Sequence, residues 1–238
     1  MNDQKREKTA LLLNVLIVAF AVVGTILMLF FRSNDPTLQS KGVANLKYFT
    51  VLSNEACGIV ALVCLVQRLR GKRQPMLAKL TAAAAVGLTF LTIAAFLGPL
   101  YGMLKMYHGA NFFFHLVLPL TAMAEFVLTD GGEPGVAESA QEENADSDDA
   151  SAGGIPFGWT FFSMIPVLAY GAAYLTNILV NGVGVWPDTN DFYGFVNWGL
   201  PIGIGIFAVL LLVTWGIACA LRAAHKKVHQ PRIGDSAN

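Results

Sequence analysis

LKYFTVLSNEACGIVALVCLVQRLR, residues 46–70, decides the fold. It is apolar over a length that crosses about 30 Å of hydrocarbon, a distance needing roughly 20 helical residues, and it closes on Arg68 and Arg70. Five further stretches of this kind flank it, at about 10–31, 77–101, 111–129, 156–181 and 199–222, so that with 46–68 the chain reads as six spans. Composition agrees: 55% hydrophobic and 13% charged residues, with mean hydropathy +0.54, exclude an ordinary soluble domain. The predicted fold is all-α, one polytopic bundle of six transmembrane helices. Lys5, Arg6 and Lys8 resemble the flank of a signal sequence, but the core after them is long and lacks a small-residue cleavage site before Arg32, so the first span is read as retained.

Orientation follows the basic residues, because Lys- and Arg-rich loops resist translocation. With both termini cytoplasmic, twelve of the 16 Lys and Arg lie inside, among them Arg68, Arg70, Lys72, Arg73, Lys79 and Arg222; only Arg32, Lys41, Lys47 and Lys105 lie outside. The expected location is the plasma membrane, a bacterial inner membrane. The basic patches are topology signals and lipid-headgroup contacts, with no basic domain or aromatic platform for nucleic acid. The stretch 130–155 carries eight acidic and no basic residues amid Gly, Ser and Ala, and reads as a solvated cytoplasmic linker lacking the turn glycine and acidic alternation of a calcium loop. The segment 223–238 reads as a basic tail in which His225 and His229 are solvated surface. Cys57, Cys64 and Cys219 fall inside spans and form no CxxC pair, and no nucleotide loop or metal motif stands out, so no cofactor and no metal are expected.

What remains is the polar content of the spans, which in hydrocarbon faces the bundle interior. At 100° per residue, Thr50, Ser53, Asn54, Cys57 and Gly58 share one face of the second span, while Glu55 projects away from it. Such a stripe is also the ordinary glue between transmembrane helices. The fourth span carries His115, with Pro119 on the same face and Glu125 ten residues on. Both spans run in the same direction, and the helical rise puts Thr50 and His115 each roughly 6 to 8 Å below the outer boundary. Glu125, about 15 Å deeper than His115, is expected to pair with another helix.

KYFTVLSN (47–54), followed by HLVLP (115–119) with an acid ten residues after the histidine, resembles the androgen-induced and ADTRP-like membrane hydrolases and their bacterial six-helix relatives. The resemblance covers most of the chain in helix count and order, on short motifs. It implies hydrolysis of lipid esters, in the eukaryotic members fatty acid esters of hydroxy fatty acids, by an intramembrane threonine and a histidine that align with Thr50 and His115. Where bacterial relatives show Asp then Trp, this chain has Glu125 then Phe126, so Glu125 stands only as a candidate acid or orienting residue, beside Asp188 and Asp191.

The chemistry is coherent: a threonine hydroxyl needs a base within hydrogen-bond reach, and neutral imidazole is one. Asn54 or Ser53 would donate to the developing oxyanion, and Asp188 or Asp191, from the outer loop WPDTNDFYGFVNWG (186–199), would orient His115. The loop aromatics read as a membrane-interface belt or as a lid; Asn177 and Asn181 read as cavity lining or helix capping. Gly199 and Gly203 form a GxxxG pair suited to close packing or to dimerisation. His108 reads as surface, and Pro119 and Pro166 are expected to kink their helices. Partners are therefore membrane lipids, including the ester substrate. Two other classes fit the polar spans: a small-solute or proton-coupled transporter using Glu55 or Glu125, and a scaffold recruiting partners through its charged ends.

Overall fold

The computed structural model describes residues 3–30, 42–129, 154–185 and 189–229. Arg32, Lys41, Arg232, the acidic run 130–153, Trp186 and Asp188 lie outside the described residues. The described chain is helical, with six helices long and apolar enough to cross a membrane: α1 (Asp3–Phe30), α2 (Phe49–Leu69), α3 (Met76–Tyr101), α4 (Ala110–Leu128), α5 (Trp159–Asn181) and α6 (Leu200–His229). The six expected spans are thus present, and α6 runs on through residues assigned from sequence to the tail.

α3 is the central helix. Its run TAAAAVG (81–87) offers only small side chains, so neighbours approach its backbone closely: a Cβ on Gly87 would lie 3.0 Å from Ile217 and 3.2 Å from Met123. One core cluster joins Leu80, Ala84, Phe126 and Ala218 at one end of the bundle; a second joins Ile17, Cys57, Ala61, Val86 and Leu118 at its middle. Large apolar side chains such as Leu12, Val22, Ile59, Leu62, Val209 and Leu212 point outward, as helices solvated by lipid require.

Prolines interrupt three helices. Pro99 and Pro119 each follow a π turn, Ile93–Leu97 in α3 and Phe113–Val117 in α4. α5 breaks at Ser163–Met164 just before Pro166, which stands in the first turn of the resumed helix, where its missing N–H costs nothing. α5 packs on α6 and α3 and meets α2 lightly. Between α2, α3 and α5 it leaves a predominantly apolar groove of about 920 Å³, running from Gln74–Ala78 at one end to Phe49 and Tyr170 at the other.

Candidate active site at the start of α2

His115 sits inside the π turn of α4, a feature often found at functional sites. Here it has a local cause. The Leu118 N–H bonds to the Phe113 carbonyl, and Pro119 has no N–H, so the Phe114 carbonyl is left without a donor from its own helix. Asn54 Nδ2 of α2 supplies it at 3.0 Å; Thr89 Oγ1 of α3 lies 3.4 Å away, but its single proton goes to the nearer Val86 carbonyl at 2.7 Å.

Asn54 Nδ2 also donates to the Thr50 carbonyl at 2.7 Å. One buried amide therefore clamps the turn carrying Thr50 to the turn carrying His115. Both amide hydrogens are used, which leaves no donor on Asn54 for an oxyanion; its Oδ1 is buried with no donor. Ser53 Oγ likewise donates to the Thr50 carbonyl, at 3.1 Å.

His115 is 9% exposed and its buried Nδ1 has no hydrogen-bond partner among the described residues; Thr50 is half-buried. No hydrogen bond joins the Thr50 hydroxyl to the imidazole among the described residues. The apolar groove is lined by Phe49, Leu52 and Ser53, not by Thr50 or His115. Gly58, lower on the polar stripe, serves helix contact: a Cβ there would lie 2.6 Å from Ala21 of α1. Glu55, off the stripe, accepts a hydrogen bond from Thr25 of α1.

The 189–199 loop anchors this end of α2. Tyr193 Oη accepts the Phe49 N–H at 2.9 Å, satisfying an otherwise open donor at the helix start, and Tyr170 donates to the Lys47 carbonyl at 2.6 Å. Burial among Tyr48, Tyr170, Phe192 and Phe195 raises the Tyr193 phenol to about 12. Asp191 does not face His115. It is 5% exposed and organises its own loop, accepting from the Phe195 N–H (2.9 Å), the Val196 N–H (3.0 Å) and the Tyr174 hydroxyl. Asn177 donates to Asn190 at 3.2 Å and Asn181 to Asn177 at 2.8 Å, so this pair ties α5 to the loop.

Glu125 pairs with other helices, as its depth implied. Its Oε1 accepts from Asn14 Nδ2 of α1 at 2.6 Å, Lys79 Nζ of α3 at 2.5 Å and the Thr129 hydroxyl at 2.6 Å. Lys79 is thus not a solvated loop residue but 4% exposed inside the bundle, where the carboxylate compensates its desolvation. His225 and His229 also depart from a solvated tail. Their rings stack at 4.2 Å and their Nε2 atoms meet the Thr129 and Val127 carbonyls at 3.0 and 3.2 Å, where the end of α4 leaves carbonyls open. Sequence reasoning passed over Asn14 and Thr129; a lone amide in the run ALLLNVLIVAF was the available signal.

The GxxxG pair is not one helical face. Gly199 precedes α6 with φ +95, and Gly203 abuts the loop, where a Cβ would lie 3.0 Å from the Phe195 carbonyl oxygen. Compared with family models, curated proteins and solved structures, the chain matches none. What the fold defines is a six-helix membrane-embedded protein.

Proposed function

We propose that this protein is an intramembrane hydrolase of lipid esters, with Thr50 as nucleophile and His115 as general base, in keeping with the resemblance of KYFTVLSN and HLVLP to the androgen-induced and ADTRP-like hydrolases. The observation that carries the reading is the buried, unpartnered Nδ1 of His115, one residue beyond the carbonyl that Asn54 clamps to the backbone of Thr50. An imidazole nitrogen that no described protein group engages is open to accept the proton of the Thr50 hydroxyl as that hydroxyl attacks.

In the reaction, Thr50 Oγ1 attacks the ester carbonyl as its proton passes to His115. The tetrahedral intermediate collapses to an acyl-threonine while the imidazolium returns the proton to the leaving alkoxide. Water, deprotonated by the same imidazole, then releases the carboxylic acid. Asn54 is a positioning residue here, since its donors hold the two helical turns together. Purified protein is assayed in detergent against a panel of lipid esters, with fluorophosphonate labelling in parallel. Thr50→Ala and His115→Ala are each expected to lower turnover by about 10² or more; labelling and turnover that both survive Thr50→Ala would reject the nucleophile.

A second reading, a proton-coupled carrier of small solutes, is favoured by the intramembrane Lys79–Glu125 pair and its Asn14 and Thr129 partners. It requires solute flux in proteoliposomes that depends on Glu125 or Glu55.

A further inference from the structure

We propose that the α2/α3/α5 groove is a binding site for an anionic phospholipid, whose headgroup meets the basic α2–α3 turn and whose acyl chain lies in the groove. The site is separate from the Thr50–His115 pair and does not rest on the hydrolase reading.

The turn joining α2 to α3 is RGKRQP, residues 70–75. Arg70, Lys72 and Arg73 are exposed, and the next two residues, Gln74 and Pro75, are half-buried and line the mouth of the groove. Chain connectivity therefore sets positive charge directly beside this end of the groove. Gln74 Nε2 is engaged with the Cys64 carbonyl at 3.4 Å, while its Oε1 finds no donor among the described residues.

Behind the mouth the wall turns apolar. Along α3 the lining runs from Met76 to Ala85, a rise of about 14 Å of helix, close to the hydrocarbon depth of one leaflet, half of about 30 Å. A volume of about 920 Å³ with a mainly apolar lining suits a lipid chain. The charge at its mouth selects among lipids. Each Lys or Arg near the surface favours an anionic headgroup by roughly fivefold, so Arg70 and Lys72 together give about 30-fold.

The test uses the full chain in micelles holding equal amounts of phosphatidylglycerol and phosphatidylcholine, with lipids retained on the protein counted by native mass spectrometry. The parent is expected to retain phosphatidylglycerol in preference. Arg70→Gln/Lys72→Gln, in an exposed turn that bears no core packing, is expected to lower that preference by about 30-fold. Ala78→Phe, which fills the groove just behind the mouth, is expected to lower retention of both lipids; Ala78→Leu stands in if the larger side chain prevents folding. Equal retention of the two lipids by the parent would overturn the proposal. So would an unchanged preference in the charge variant, or unchanged retention when the groove is filled.

Discussion

Removing one partner of the Lys79–Glu125 pair is the sharpest perturbation of this fold. The side chains are 3% and 4% exposed and 2.5 Å apart, and the carboxylate oxygen also takes the Asn14 amide and the Thr129 hydroxyl. Glu125→Leu would leave an ammonium in hydrocarbon with only the Thr129 hydroxyl, 2.8 Å away, as acceptor. Lys79→Met would leave a buried carboxylate held by two neutral donors. Breaking a buried pair from one side costs about 3–5 kcal/mol, whereas replacing both partners by apolar residues is near neutral or stabilising. Each single variant should therefore be destabilised by about 3–5 kcal/mol and Lys79→Met/Glu125→Leu by much less, giving a strongly non-additive double-mutant cycle. An ordinary intramembrane hydrogen bond would couple by only about 0.6 kcal/mol. The cycle is read from reversible unfolding in mixed micelles by circular dichroism. Additive single effects, or singles within about 1 kcal/mol of the parent, would refute the view that mutual neutralisation holds Lys79 inside the bundle.

Two further outcomes follow from the clamp and the loop. Asn54→Leu should cost about 1–3 kcal/mol, because the Phe114 carbonyl would lose its one close donor, the Thr89 hydroxyl 3.4 Å away being committed to the Val86 carbonyl at 2.7 Å; faster amide hydrogen exchange across 113–118 than in the parent checks it, and unchanged exchange would separate the π turn from the amide. For Tyr193, the phenol is raised from 10.0 to about 12 by burial, so the folded state keeps a proton that the unfolded chain loses. Its contribution should be intact below about pH 10 and lost as pH climbs to about 12; tyrosinate absorbance of the parent against Tyr193→Phe reads this, and titration at or below pH 10 would contradict it.

Much of the candidate site was legible because a helix in hydrocarbon has few ways to hide a polar group. The stripe of Ser53, Asn54 and Gly58 was visible by its angular spacing, and each of the three does face the bundle or its groove. Its division of labour was not visible. Asn54 read as an oxyanion donor, yet its hydrogens are taken by Thr50 and Phe114, because Pro119 strips the latter carbonyl of its helical donor. Asp191 read as a partner for His115, but three donors close to it in its own fold claim its carboxylate.

The sequence by itself determined the six spans and the all-helical class, since the bilayer thickness and the need to satisfy every backbone group leave an apolar run of this length no other structure. It also marked two of the three interrupted helices, at Pro119 and Pro166, because proline does not fit a helix interior; the π turn before Pro99 was not anticipated. Only the tertiary structure decided which polar groups meet. Lys79 looked like a loop cation until α4 brought Glu125 to it, with Asn14 of α1 on the same carboxylate, and His225 looked solvated until the end of α4 offered its carbonyls. Such pairings join residues 46, 96 and 111 positions apart, so they depend on helix packing and leave no periodic trace in the chain.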